Sequence, residues 1–197
     1  MTIPLTVKSN FFDENYCQEE QLPRNFSMIF SENLIQNKKI VSVYFNGNEQ
    51  VGSPIDDNSY ENDFYRYHDI FHYTFATILG WSPCSRAMMK LKRKSNKEID
   101  SIEDGARATI TEEAIALMIF NEAKKKGFFQ RNKKVSKITL KLINEMTENF
   151  EVKVRTSSEW EMAILKAYEI FNLLIKNNGG LVYFNMINKE ITFTSLN

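Results

Sequence analysis

The chain has 197 residues, 43% of them hydrophobic and 25% charged, with 25 Lys and Arg balancing 25 Asp and Glu. Such a chain fits one soluble globular domain that can bury its own core. It has no apolar run near the roughly 20 residues needed to span a bilayer and no CxxC spacing, which argues against a membrane span and a disulfide framework. The first residues, "MTIPLTVKSNFF", lack the charged-then-apolar plan of a signal peptide. Cys17 and Cys84 then read as reduced thiols of a cytoplasmic protein.

In chain order, residues 25–31 ("NFSMIFS") alternate apolar and polar as a half-buried strand does. A second strand, 39–45 ("KIVSVYF"), ends at the tight-turn signal Asn46-Gly47. Residues 51–59 ("VGSPIDDNS") read as loop. A helix is expected from about Asp63 to Leu79, stopped by Gly80, with Pro83 beyond it. Residues 85–96 begin helical and become a basic loop. "SIED" at 101–104 has capping-box spacing and predicts a helix from Ser101 to about Lys126. A short amphipathic helix follows at 135–148. Residues 158–176 form the clearest helix, with Trp160, Ile164, Ala167, Tyr168 and Phe171 on one face. Two strands, "LVYFNM" and "EITFTS", close the chain. The expected class is α+β: a single domain over 1–197, a helical core at about 60–176, and antiparallel hairpins at both ends that could join in one small sheet.

Charge is uneven. Residues 1–69 carry eleven Asp and Glu against five Lys and Arg, whereas 86–141 carry fifteen Lys and Arg against seven Asp and Glu. The basic stretch could attract an anion, either a nucleic acid or a small phosphorylated ligand.

Both histidines of the chain lie in "YHDIFHYTF" (67–75). At about 100° per residue, His68 and His72 are about 40° apart on a helix, with Asp69 beside them. Two imidazoles at i and i+4 with a carboxylate can hold a metal ion. A core histidine bonded to a carboxylate is the plainer alternative, since Phe64, Tyr67, Phe71 and Phe75 surround the patch. A second cluster lies in "EDGARATITEEAI" (103–115). On one continuous helix Asp104, Arg107 and Thr111 share a face, Glu112 sits at its edge and Glu113 points away. Asp104 and Glu112 opposite Asp69 would suit Mg²⁺ in phosphate chemistry, whereas a capping residue and a solvated edge need no metal. Third, Lys90, Lys92, Arg93 and Lys94 in "KLKRKSNK" could fold over a triphosphate or form an exposed charged loop. A further basic stretch, "KKKGFFQRNKK" (124–134), reads as a helix end and a solvated loop. No Walker, Rossmann, nucleophile-elbow or HExxH motif is present, and Cys84 has no further histidine as base.

"FFDENYCQEEQLPRNF", "NGNEQVGSPIDDN", "YRYHDIFHYTFATILGWSP", "MKLKRKS", "EDGARATITEEAI" and "EWEMAIL" stand in the order seen in the MazG C-terminal-like domain, which this chain resembles from about residue 11 to its end. The resemblance implies hydrolysis of a (deoxy)nucleoside triphosphate to monophosphate and pyrophosphate with Mg²⁺ or Mn²⁺. It draws together His68, Asp69, His72, Asp104, Arg107, Glu112 and Glu113. Asp69, His72, Asp104, Glu112 and His68 would bind metal, Glu113 would be the general base, and Lys90, Lys92, Arg93, Lys94 and Arg107 would grip phosphate. The paired ExxE and ExxD motif of the all-α pyrophosphohydrolase module is not found: Glu112-Glu113 has no glutamate three residues on, and no ExxD follows. Two other readings therefore stay open. One is an HD-type phosphohydrolase, though no histidine precedes His68. The other is a nucleotide- or partner-binding module without turnover, as in a phage-defence system. The aromatic-rich helices could also pair in a homodimer.

Overall fold

A computed structural model describes residues 11–131 and 133–196. The stretch 1–10, read above for a leader, lies outside them, as does Asn132 of the second basic stretch. The strands are β1 (Asn25–Ile35), β2 (Lys38–Phe45), β3 (Glu49–Ile55), β4 (Gly179–Asn185) and β5 (Glu190–Thr194). The helices are α1 (Asp69–Leu79), α2 (Pro83–Met88), α3 (Lys97–Ile102), α4 (Ala106–Lys125), α5 (Lys137–Met146) and α6 (Ser157–Asn177). The class is α+β.

All five strands form one antiparallel sheet in the order β3-β2-β1-β4-β5. The two ends of the chain meet where β1 pairs with β4, Phe30 opposite Gly180 and Ser31 opposite Gly179. Gly179 is needed there, since a Cβ on it would stand 2.3 Å from the Phe30 carbonyl oxygen. Alternation puts Phe26, Met28, Phe30, Val41, Val43, Val182, Phe184 and Ile191 on the buried face. α1 and α6 pack together and against the C-terminal strands. α4 covers the other side of α1, so every residue of α1 is buried. A helix enclosed on all sides must be apolar throughout or satisfy its polar groups internally. His72 and Asp69 therefore require partners.

α6 begins with a capping box between Thr156 and Glu159, and its predicted apolar face is buried. Three boundaries differ from the expectation. α1 starts at Asp69 rather than Asp63, because Phe64 takes a left-handed conformation (φ 70°) and Tyr65–Tyr67 make a 3₁₀ turn. The expected helix from Ser101 is two helices: Asn96 caps α3, and α4 starts after Gly105, so the "SIED" box does not form. The expected loop at 51–59 holds most of β3. Pro54 is tolerated there because β3 is an edge strand. β3 also bulges, since Val41 pairs with Ile55 but Val43 with Val51. Gly52, at φ 69°, lies in that bulge beside Asp69 and Met88.

Residues 11–24 are bound to this frame by Asp13. Its buried carboxylate accepts from Arg86 (2.7 Å), Arg24 (2.7 Å) and the Leu22 amide (2.7 Å).

Candidate metal centre

His68 closes the 3₁₀ turn and leads into α1, with His72 one turn further on. The Nδ1 of His68 lies 3.0 Å from the Tyr65 carbonyl oxygen. A carbonyl can only accept, so Nδ1 carries the hydrogen and Nε2 is left with its lone pair. The Tyr65 ring stacks on His68 at 4.2 Å and holds its plane. The Nδ1 of His72 lies 2.8 Å from Oε1 of Glu112 on α4. Glu112 is fully buried and also accepts from Ser82 Oγ (2.7 Å) and the Cys84 amide (2.8 Å). With its carboxylate used this way, Glu112 holds His72 by Nδ1 and leaves its Nε2 facing Glu113.

The two Nε2 atoms thus face the same space. His68 Nε2 is 3.4 Å from Asp69 Oδ1 and 4.0 Å from Glu113 Oε2. His72 Nε2 is 3.5 Å from Glu113 Oε1. It is buried and makes no hydrogen bond among the described residues. One donor atom from each of His68, Asp69 and His72 lies within 4.8 Å of the others. The Glu113 side chain, 44% exposed, is the open wall of the cluster.

Electrostatics favours a positive charge in this space. Burial opposes protonation of His72, but the Glu112 carboxylate 2.8 Å away outweighs it and raises its pKa well above the usual imidazole range. Burial lowers the pKa of His68, despite Asp69 beside it. Burial also pushes Glu113 up, but the two imidazoles, chiefly His72, hold its carboxyl down to about 2. A carboxylate this acidic is a better charge partner than proton acceptor. The Cys84 thiol is pushed up by burial and by Glu112, so it stays neutral.

Asp104 and Arg93 are committed elsewhere. Asp104 is outside α4, fully buried, and bonded to the Arg93 guanidinium at 2.7 and 3.1 Å and to the Arg93 amide at 2.7 Å. Arg93, 1% exposed, also grips Glu151 at 2.8 and 3.0 Å. The expected metal ligand and the expected phosphate-binding residue therefore satisfy each other, which corrects both assignments: Asp104 has no free oxygen for a cation and Arg93 no free donor edge for a phosphate. Lys90, Lys94 and Arg107 are exposed and Lys92 is half-buried. Lys90 follows α2 and lies 4.0 Å from Glu49 of β3. Glu113, expected to point away, faces the histidines. The helical wheel had been referred to Asp104, which is not on α4. With α4 in place, Glu112 and Glu113 straddle the side that meets α1.

Four residues escaped the sequence reading: Tyr65, Ser82, Cys84 and Gly52. Ser82-Pro83 was the available signal, since a serine N-cap before proline starts α2 and aims the Cys84 amide at Glu112.

Mg²⁺ fits this donor set poorly. It takes oxygen ligands in a strict octahedron and keeps most of its water. Two convergent imidazole nitrogens suit a softer divalent ion such as Zn²⁺. Fold and site define a small α+β domain with a buried histidine–carboxylate centre between two helices. The chain belongs to the MazG C-terminal domain family, whose model matches residues 7–197. No curated protein and no solved structure matches it. No helix among the described residues is long and apolar enough to cross a membrane.

Proposed function

We propose that this domain is a MazG-like nucleotide hydrolase that splits a (deoxy)nucleoside triphosphate into monophosphate and pyrophosphate. The observation that carries the proposal is the convergence of two imidazole Nε2 atoms and the Asp69 and Glu113 carboxylates on one space, open at Glu113. Family membership supplies the substrate class. A triphosphate would arrive as its Mg²⁺ or Mn²⁺ complex, its phosphates drawn by Lys90, Lys92, Lys94 and Arg107.

One water is consumed. Its oxygen bonds to one phosphorus of the α–β bridge, the bridging oxygen leaves with the other phosphorus, and the water's proton passes to solvent with the products. Glu113, exposed on one side, accepts a hydrogen bond from that water and orients it. Glu112 holds the His72 ring, and Tyr65 holds His68. An ion held by His68, His72 and Asp69 would keep a position open toward Glu113 and supply Lewis acidity there for the water or the phosphoryl oxygen.

The test is a panel of (d)NTPs, incubated with the protein and Mg²⁺ or Mn²⁺ and followed by ³¹P NMR. Monophosphate plus pyrophosphate, lost in Asp69→Asn, is the expected result. Nucleotide binding without product would leave a non-catalytic binding module instead. Orthophosphate as first product would exclude α–β cleavage.

A further inference from the structure

We infer that His68, His72 and Asp69 hold a zinc-class divalent ion whose fourth position opens toward Glu113, with Glu112 as the residue that positions His72. This deepens the reading above and rests on the same site, but it concerns which ion is bound rather than turnover.

Three observations carry it. Each imidazole has its Nδ1 committed on the far side, His68 to a backbone carbonyl and His72 to Glu112, so both present Nε2 to one point. The bond between a carboxylate and the distal nitrogen is the usual support of a metal-bound histidine. His72 Nε2 is also a buried polar atom that makes no hydrogen bond among the described residues, with the Glu113 carboxylate 3.5 Å away, on a ring 1% exposed. Leaving such an atom unmatched is costly, and a cation between the rings removes that cost. Third, the spacing fits. Ligands about 2.0–2.2 Å from a tetrahedral ion stand about 3.3–3.6 Å from one another. His68 Nε2 and Asp69 Oδ1 stand 3.4 Å apart, and one donor atom from each of His68, Asp69 and His72 lies within 4.8 Å of the others, close enough for small side-chain shifts to bring them onto one ion.

A second group, His72, Cys84 and Glu112, is also close enough to hold an ion. Glu112 there already accepts from Ser82 and from the Cys84 amide, and His72 meets it with Nδ1. An ion at that place would displace three hydrogen bonds, whereas on the Nε2 side the only hydrogen bond nearby among the described residues is the long one from the Cys84 thiol to Glu113 (3.7 Å). The ion therefore belongs between His68 and His72.

The experiment uses the full chain, stripped with a chelator and titrated with Co²⁺. One equivalent should bind and give the intense visible d–d bands of four-coordinate cobalt. Zn²⁺ should bleach them stoichiometrically, and Mg²⁺ in large excess should not. Asp69→Asn, and His68→Gln as a second variant, should each weaken Co²⁺ binding and change the band shape. Glu112→Gln should weaken binding about 10–100-fold while keeping the four-coordinate spectrum. Faint six-coordinate bands, displacement by Mg²⁺, or unchanged binding in both Asp69→Asn and His68→Gln would each overturn the inference. A four-coordinate cobalt protein without nucleotide turnover would uphold it while removing the hydrolase reading. Turnover by stripped protein with Mg²⁺ alone would keep the hydrolase and overturn the zinc-class site.

Discussion

Arg93→Ala separates a structural arginine from a phosphate-binding one. Arg93 is 1% exposed and its guanidinium bonds to both oxygens of Asp104 and both of Glu151. Removing one partner of a buried ion pair costs about 3–5 kcal/mol, because the other charge stays buried. Here the low end applies. Asp104 keeps the backbone amide of residue 93 and has Arg86 Nε at 3.7 Å, while Glu151, 18% exposed, can turn to water. For a chain of this size each kcal/mol shifts Tm by about 2–4 °C, so about 3 kcal/mol lowers it by roughly 6–12 °C. Thermal unfolding by circular dichroism reads the shift, with Lys94→Ala as an exposed control expected within about 0.5 kcal/mol of wild type. The double variant Arg93→Met/Asp104→Leu should recover most of the loss, since an apolar pair can replace a buried ionic one. A single variant that unfolds like wild type but has lost nucleotide affinity would refute the reasoning and return Arg93 to phosphate binding.

Glu112→Ala leaves His72 Nδ1 and the Cys84 amide without an acceptor, whereas Ser82 keeps Ser85. Two unmatched buried donors cost about 2–6 kcal/mol, and urea unfolding should show that loss. Gly52→Ala puts a Cβ at φ 69°, 3.3 Å from Met88 Sδ. The thioether can move, so backbone strain sets a loss of about 1–2 kcal/mol, read as a lower Tm. Burial would raise the Asp13 pKa, but Arg24, Arg86 and the Leu22 amide bring it below the ordinary 3.8. A lowered folded pKa gives stability that is present above 3.8 and lost as pH falls through the folded value. Asp13→Asn should therefore be less stable than wild type at pH 7, with the difference shrinking in urea titrations below pH 3.8; a constant difference would contradict the linkage.

Elements whose pattern is set by local chemistry were legible in the sequence. The α6 stripe and the alternation of β1 are of this kind. β3 was hidden because Gly52 and Pro54 read as loop, and only its place at the sheet edge with a bulge makes them acceptable. At the site, the i, i+4 spacing of His68 and His72 was visible, as was the presence of Asp69. What the histidines meet was not, because Glu112 and Glu113 arrive from α4 some forty residues later. The mistaken helix start at Ser101 carried Asp104 into the site and pointed Glu113 out of it. Arg93 failed for a related reason: a basic run looks exposed until one member finds two carboxylates, Asp104 and Glu151, in the interior.

The most direct test of the account is pyrophosphate release by His72→Ala, measured with its unfolding curve on the same preparation. His72 Nε2 faces the shared space and Nδ1 faces Glu112, so its removal takes out a ligand without touching the lysines. The account predicts that release falls at least about 100-fold in a protein that still unfolds cooperatively. A folded His72→Ala protein that releases pyrophosphate at the wild-type rate would show that the chemistry does not take place between these two helices.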